Sequence, residues 1–579
     1  MVYVGFKGLS IPILFPSYAI TLQSLHAMKR RNFLKILPAA GVSSFAVNGF
    51  AFRPFANTKI AKLVSDCDGL RERALILIQL KGGNDGLNNL IPIAKYDRYA
   101  DLRKTIRIPD TGAGAYIDLD TTLKDSKRVG LHPAMTAVKA MYDKGWVNVI
   151  QGVGYQSPNQ SHFKSTDLWL SGGDGTPDNF NISTGWMGRS MQALFPDVEG
   201  APTPDMPDPL GMQVGDSNPS LGFHTDTDHQ NVINLTGQDP TGFYSLIQTI
   251  GGAPIMNVPD TDHGHELDFI MAVEQSVNKY SQRITDVFNA GSNVGTYPQT
   301  NLANQLKTVA RLIRGGCKTK IYLCQLGGFD THSAQVDSGD TSMGDHAALL
   351  QTMSEAVKAF LDDLEAMGIG DQALACTFSE FGRCAKENGS FGTDHGTLAP
   401  MYIFGKTANP GVSGTNVDLD NLTNDNQVQG IQHDYRQVFA TLLQDWLGAN
   451  NWVMEQTMFE NYAKLPLVSP VYAANPECYY GGSVTITDSA FETLKQMRIF
   501  PNPARVTTEI SFDPAESFAG RLTVHSMGGK LVSNRQVQVY SGENQFYFDV
   551  MNIPPGAYIV RLENLVTGLA RVAKLSVIR

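Results

Sequence analysis

An α/β domain around a mainly parallel sheet, followed by a small β-sandwich, is the fold class this sequence predicts. Three observations carry it. Short apolar runs that end in glycine- or acid-bearing turns recur between residues 70 and 450, and helix-patterned segments alternate with them. From about residue 499 the texture changes to short alternating strands separated by Gly and Pro turns.

The run ALILIQL at 74–80 is branched, apolar and uninterrupted, as expected of a strand buried on both faces of a parallel sheet. It leads into KGGNDGLN, which places Asp85 just beyond the strand's carboxyl end, where open α/β sheets collect ligand and metal residues; an ordinary turn also accommodates Gly, Asn and Asp. Residues 131–143 have helical spacing, and WVNVI at 146–150 completes a βαβ unit. Ser161 and His162 follow that strand. Ser161 reads as a helix N-cap, or as a nucleophile placed at a helix N-terminus to carry a phosphoryl or sulfuryl group.

Residues 174–300 are rich in Pro, Asp, Gly and Asn and read as a loop-rich insertion or cap beside the sheet. Asp262, His263, His265 and Glu266 there suit either a metal or a solvated loop. An amphipathic helix over 301–313 precedes the strand at 320–326, whose loop carries Asp330 and His332; hard oxygen and imidazole nitrogen at that spacing suit zinc or a similar ion. A helix over 346–367 leads to the strand at 373–378, then to Glu380 and Arg383. Arg383 offers a planar fork for a tetrahedral anion, or a partner for an acid. Asp394 and His395 precede a further apolar run at 401–404, and a helical segment over 433–447 closes the domain.

At 579 residues the chain requires more than one domain, and its net charge of −10 without a basic stripe excludes a general nucleic-acid binder. The six cysteines lie far apart with no C-x-x-C, which supports neither a zinc ribbon nor a disulfide framework; Cys324 and Cys376 fall inside core strands. No later segment of about 20 apolar residues could span a membrane. Residues 28–52 have the basic start, short apolar stretch and small residues of an export signal, with Arg30-Arg31 and Phe33-Leu34-Lys35 resembling the twin-arginine type. That reading makes Met28 the true start.

GGNDGLN, SHFKSTDLWLSG, GGFDTHSAQ, TFSEFGR, GTDHGT and DYRQVFATLLQDWLG, in this order after the signal, resemble the domain-of-unknown-function 1501 family of the alkaline phosphatase and sulfatase superfamily. The resemblance implies a three-layer α/β sandwich over 70–465 that hydrolyses phosphate or sulfate esters, small-molecule or glycan, at a metal centre. It implies Ser161 as nucleophile, and Asp85, Asp330, His332, Glu380 and His395 as ligands to one or two divalent ions, zinc for preference. The superfamily's usual Asp and His four apart, and its Asp-His pair, are here Asp330/His332 and Glu380-Phe381. The rival reading is a secreted binding or structural protein that keeps the fold without activity. After a linker at 466–496, FPNPARVTTEISF, MGGKLV and PPGAYIVRL resemble the type A sorting domain of type IX secretion, an Ig-like sandwich over 497–579. Export and secretion machinery are then the partners, with the periplasm and afterwards the cell surface or exterior as destination.

Overall fold

The computed structural model describes residues 70–474 except 71, 196–197, 199, 204–205, 217–219, 226–231, 236–270 and 272–278, and residues 495–579 except 515–516, 527–530, 543 and 565–569. Residues 1–69 form a separate unit in which four short strands are described, Val2–Phe6 paired with Leu9–Ile13 and Phe45–Val47 with Phe50–Phe52. Arg30-Arg31 and the group Asp262, His263, His265 and Glu266 lie outside the described residues.

The central element is β1 (Ala74–Lys81). The chain continues through α1 (Thr136–Asp143), β2 (Val147–Gly154), α2 (His162–Ser171), α3 (Trp186–Leu194), β3 (Gly211–Val214) and β4 (Val232–Leu235). Then come α4 (Asn301–Arg314), β5 (Ile321–Gly327), α5 (Asp345–Ala366), β6 (Ala373–Phe378), β7 (Ala399–Phe404), β8 (Gly411–Ser413), β9 (His433–Asp434) and α6 (Tyr435–Thr441). Among the described residues nine strands make one sheet in the order β4-β3-β5-β1-β6-β7-β2-β8, with β9 also on β2. Only β7 runs against the rest.

Alternation along β1 divides the core. Ala74, Ile76, Ile78 and Leu80 face a layer containing α1, α4 and α5, whereas Leu75 and Leu77 face the layer of α2, α3 and α6. Each such side chain is almost fully buried, and burial of each Ile or Leu is worth about 1.5–3 kcal/mol. The result is the expected three-layer sandwich. Because all strands but β7 are parallel, the loops after β1, β2, β5 and β6 emerge on one edge, joined there by the segment that enters β7.

Residues 174–300 are more than an insertion. They supply β3 and β4, which extend the sheet beside β5, and α3 packs in the second core. Both strands are only four residues long and sit among Pro, Gly and Asp clusters, so their apolar pattern is too short to separate from loop by periodicity. The α/β domain also runs past 465, since Leu467 and Val468 are buried in the second core and Val468 bridges Ala408.

The carboxyl-terminal region has its own core around Ile510, Phe512, Val524, Val560 and Leu575. Its strands are β10 (Lys495–Phe500), β11 (Thr507–Asp513), β12 (Phe518–Ser526), β13 (Leu531–Val539), β14 (Asn544–Asp549), β15 (Gly556–Asn564) and β16 (Ala570–Val577). They form two antiparallel sheets, β10-β11-β14 and β13-β12-β15-β16.

Candidate metal centre

At the carboxyl edge of the sheet the loop after β1 turns through Gly82 and Gly83, both at positive φ. A side chain on Gly82 would meet the backbone nitrogen of Asp330 at 2.3 Å, so glycine is what lets the β1 and β5 loops touch. The Gly82 N–H donates to Glu380 Oε1 (2.8 Å), which ties the β6 loop to the same point.

Four side chains converge there. Asp330 Oδ1 lies 3.2 Å from His395 Nε2, 3.3 Å from His332 Nε2 and 3.4 Å from His162 Nε2, and the two nitrogens of His332 and His395 are 2.9 Å apart. His162, Asp330 and His395 present one ligand atom each within 4.8 Å of one another. Every imidazole is held by its other nitrogen: His162 Nδ1 on Glu380 Oε1 (2.9 Å), His332 Nδ1 on Asp394 Oδ1 (3.1 Å) and His395 Nδ1 on the Gln160 carbonyl (2.8 Å). Oxygens that only accept place the proton on Nδ1, so each neutral ring aims its Nε2 lone pair at Asp330.

Bare lone pairs at such distances repel, and His162 Nε2 is buried with no hydrogen-bond partner. A cation resolves both. Ligand bonds of about 2.0–2.1 Å in a tetrahedron put neighbouring donor atoms about 3.3 Å apart, close to the separations around Asp330. His162, Asp330 and His395 therefore fit a divalent ion, with His332 lying against Asp330 and His395.

Burial would raise the Asp330 carboxyl, but Arg383 Nη2 (2.7 Å), with His395 and His162, outweighs it and holds the group below the ordinary value. Burial lowers His395, assisted by the Arg383 charge, against its bonds to the Gln160 carbonyl and Asp330.

The other sequence candidates have different surroundings. Glu380, buried, is not in the ligand-atom group of His162, Asp330 and His395; its carboxylate orients His162 and binds the Gly82 amide. Asp85 is fully buried, with Oδ2 on Arg103 Nη1 (2.5 Å) and Gln335 Nε2 (2.6 Å) and Oδ1 on Arg103 Nη2 (2.8 Å) and the Leu87 N–H (3.2 Å). That saturation leaves no lone pair for an ion, which corrects the expectation of Asp85 as a ligand. Arg383 is likewise spent: it donates to the carbonyls of Gly83, Thr393, Gly82 and Phe329 and to Asp330. It laces four loop segments together rather than waiting for an anion. Ser161 occupies the N-cap position of α2 without making a side-chain cap bond, and it sits between Gln160 and His162, both of which touch the cluster.

His162 is the residue that sequence reasoning passed over in favour of its neighbour. The signal was the same one that pointed to Ser161, a polar pair directly after a buried strand.

A cleft of about 860 Å³ opens beside the cluster, bounded by Lys81, His162, Phe163, Asn301, Asp330 and Glu380 among others. Its floor is the edge where β1, β5 and β3 end.

Comparison with known proteins places these features in a family. Residues 498–575 match the secretion system C-terminal sorting domain, the type IX kind, which marks the chain for export to the cell surface or exterior. Among the described residues no helix is long and apolar enough to cross a membrane. No curated protein matches the chain. Solved structures similar to it include a sulfatase from work on glycosaminoglycan metabolism by Bacteroides thetaiotaomicron (9% identity over 83% of this chain and 90% of that one, TM-score 0.30). Another is an alkaline phosphatase superfamily protein from Vibrio parahaemolyticus (10% identity, 84% and 92% covered, TM-score 0.28). PorZ, a surface component of the type IX secretion system of Porphyromonas gingivalis, is similar over 20% of this chain and 15% of its own length (14% identity, TM-score 0.13). Residues 72–445, which hold the sheet, the cluster and its anchors, match the family model throughout, and the chain belongs to the family described as "Protein of unknown function (DUF1501)".

Proposed function

We propose that this protein is an exported metal-dependent hydrolase of phosphate or sulfate esters, converting ester and water into alcohol and inorganic phosphate or sulfate. The observation that supports it best is the convergence of three anchored imidazoles on Asp330 at the rim of a cleft. His162, His395, Asp330 and His332 would hold the ion, zinc by donor set. When bound, the ion supplies positive charge to the ester's anionic oxygens and lowers the pKa of a hydroxyl beside it.

The chain's own residues do the rest. Glu380, Asp394 and the Gln160 carbonyl keep the rings in the tautomer that presents Nε2. Arg383 holds Asp330 ionised. Ser161, at the start of the ten-residue helix α2, offers the hydroxyl nearest along the chain to His162, and the positive end of that helix faces the ester's charge. Arg30-Arg31 is proposed as a twin-arginine signal that exports the chain folded.

The test is metal content by mass spectrometry of the purified protein, followed by turnover of aryl phosphates and sulfates by wild type, Asp330→Asn and Ser161→Ala. Stoichiometric metal and turnover that disappear in Asp330→Asn are expected, with Ser161→Ala losing turnover but not metal. No metal and no turnover would favour the binding-protein reading.

A further inference from the structure

The cleft beside the metal cluster has an unusual lining. One wall is a face of α4 carrying Asn301, Asn304, Gln305 and Thr308, at helical spacing, while Leu302, Leu306 and Val309 turn into the core. Gln305 is fixed, accepting from the Gln325 N–H (2.9 Å) and donating to the Gln325 carbonyl (3.0 Å). Asn301 and Asn304 keep side-chain amides that make no hydrogen bond among the described residues. Phe163, adjacent to His162 and 86% exposed, also lines the cleft. Lys81 is the only Lys or Arg among the described lining residues, which also include Asp167, Asp330 and Glu380; Gln325 Oε1 braces it at 3.3 Å and Asp216 pairs with it at 3.7 Å.

These features exclude as much as they suggest. A polyanionic chain needs several Lys or Arg, and one is present. A lipid needs a continuous apolar wall, whereas the described apolar lining beyond Phe163 is Val214 and Leu326. Neutral amides that donate and accept, in one cleft with an exposed aromatic ring, match a ligand with many hydroxyls on a ring whose C–H face is apolar. The volume lies within the range of sites that enclose drug-sized molecules.

We propose that this cleft binds the sugar portion of a glycan ester, with Asn301 and Asn304 bonding hydroxyls, Phe163 stacking on a ring and Lys81 meeting one anionic substituent. The ester part rests on the hydrolase reading; the sugar part does not. Saturation-transfer NMR on the full chain, with lactose, diacetylchitobiose and the singly charged sialyllactose as probes and a neutral tripeptide as comparison, decides it. Transfer to at least one saccharide is expected in wild type and in Asp330→Asn. Affinity should fall at least tenfold in Phe163→Ala and in Asn301→Ala/Asn304→Ala, with bound metal and melting temperature unchanged. No transfer to any saccharide, equal affinity in those variants, or stronger transfer to the tripeptide would overturn the proposal. Absence of aryl-ester turnover by metal-loaded protein alongside saccharide binding would instead remove the hydrolase reading and leave this one standing.

Discussion

Asp85 and Asp330 occupy equivalent places, each in the loop after a buried parallel strand and next to an arginine, yet they do opposite work. Asp85 is completely enclosed and both its oxygens are consumed by Arg103, Gln335 and a backbone amide. The Asp330 carboxylate is 49% exposed and shares one oxygen with three imidazoles as well as Arg383. Burial would raise both carboxyls, and in each case the neighbouring arginine, with the other groups around it, brings the carboxyl below its ordinary value. The difference teaches that an ionised aspartate becomes available for chemistry only when its charge is left partly uncompensated at an opening. Fully compensated and enclosed, the same group is a tie between loops.

The largest expected effect comes from breaking that tie. Arg103→Ala strands the buried Asp85 carboxylate and empties hydrogen bonds to the Cys384 and Ala385 carbonyls. A loss of about 3–5 kcal/mol is expected by denaturant titration, with the molecules that remain folded still binding metal. Full stability would mean that Asp85 is not compensated as the geometry has it.

Next in size is the support of the other aspartate's cluster. Glu380→Gln keeps the volume but weakens the grip on His162 Nδ1, and a 10–100-fold loss of metal affinity is expected in a chelator competition. Unchanged affinity would remove His162 from the ligand set.

A smaller, graded effect separates the two regions by pH. His132 and His346 lie beside the Asp85 site, and burial pushes them down to about 3 and about 4. Their neutral forms are therefore favoured in the folded state, so the stability they confer is complete above the unfolded value near 6.5 and declines as pH falls toward the folded values. Well inside that window each group costs about 1.4 kcal/mol per pH unit. Urea titrations between pH 7 and 4.5 should show the slope, and His346→Gln should flatten it. An identical slope in that variant would mean that other groups govern acid unfolding.

The smallest effect is expected at the far end of the chain. Truncation after Gln496 removes a sandwich with its own core and none of the cluster residues, so metal content should be unchanged and melting of the α/β domain should shift little. The shortened protein should accumulate in the periplasm. Normal levels outside the cell would contradict the sorting role.

Much of this was legible in the residues alone. The uninterrupted apolar run of β1 announced a strand buried on both faces, the spacing over 301–313 and 346–367 announced α4 and α5, and alternation after 499 announced the sandwich. Each is a local pattern set by burial with period 2 or 3.6. The sequence likewise determined which acids and histidines stand at strand ends, and so which could meet. Only the tertiary structure decided how they meet. Whether an aspartate faces an arginine or a gap, and whether a histidine or the serine before it enters the cluster, depends on which loops β1, β2, β5 and β6 bring to one edge. Asp85 finds Arg103, 18 residues away, and Gln335, 250 residues away, in a sealed pocket. Asp330 finds His162 and His395 across the rim of a cleft. Those contacts span long separations, and their chemistry is set by enclosure and charge compensation, which no local pattern encodes.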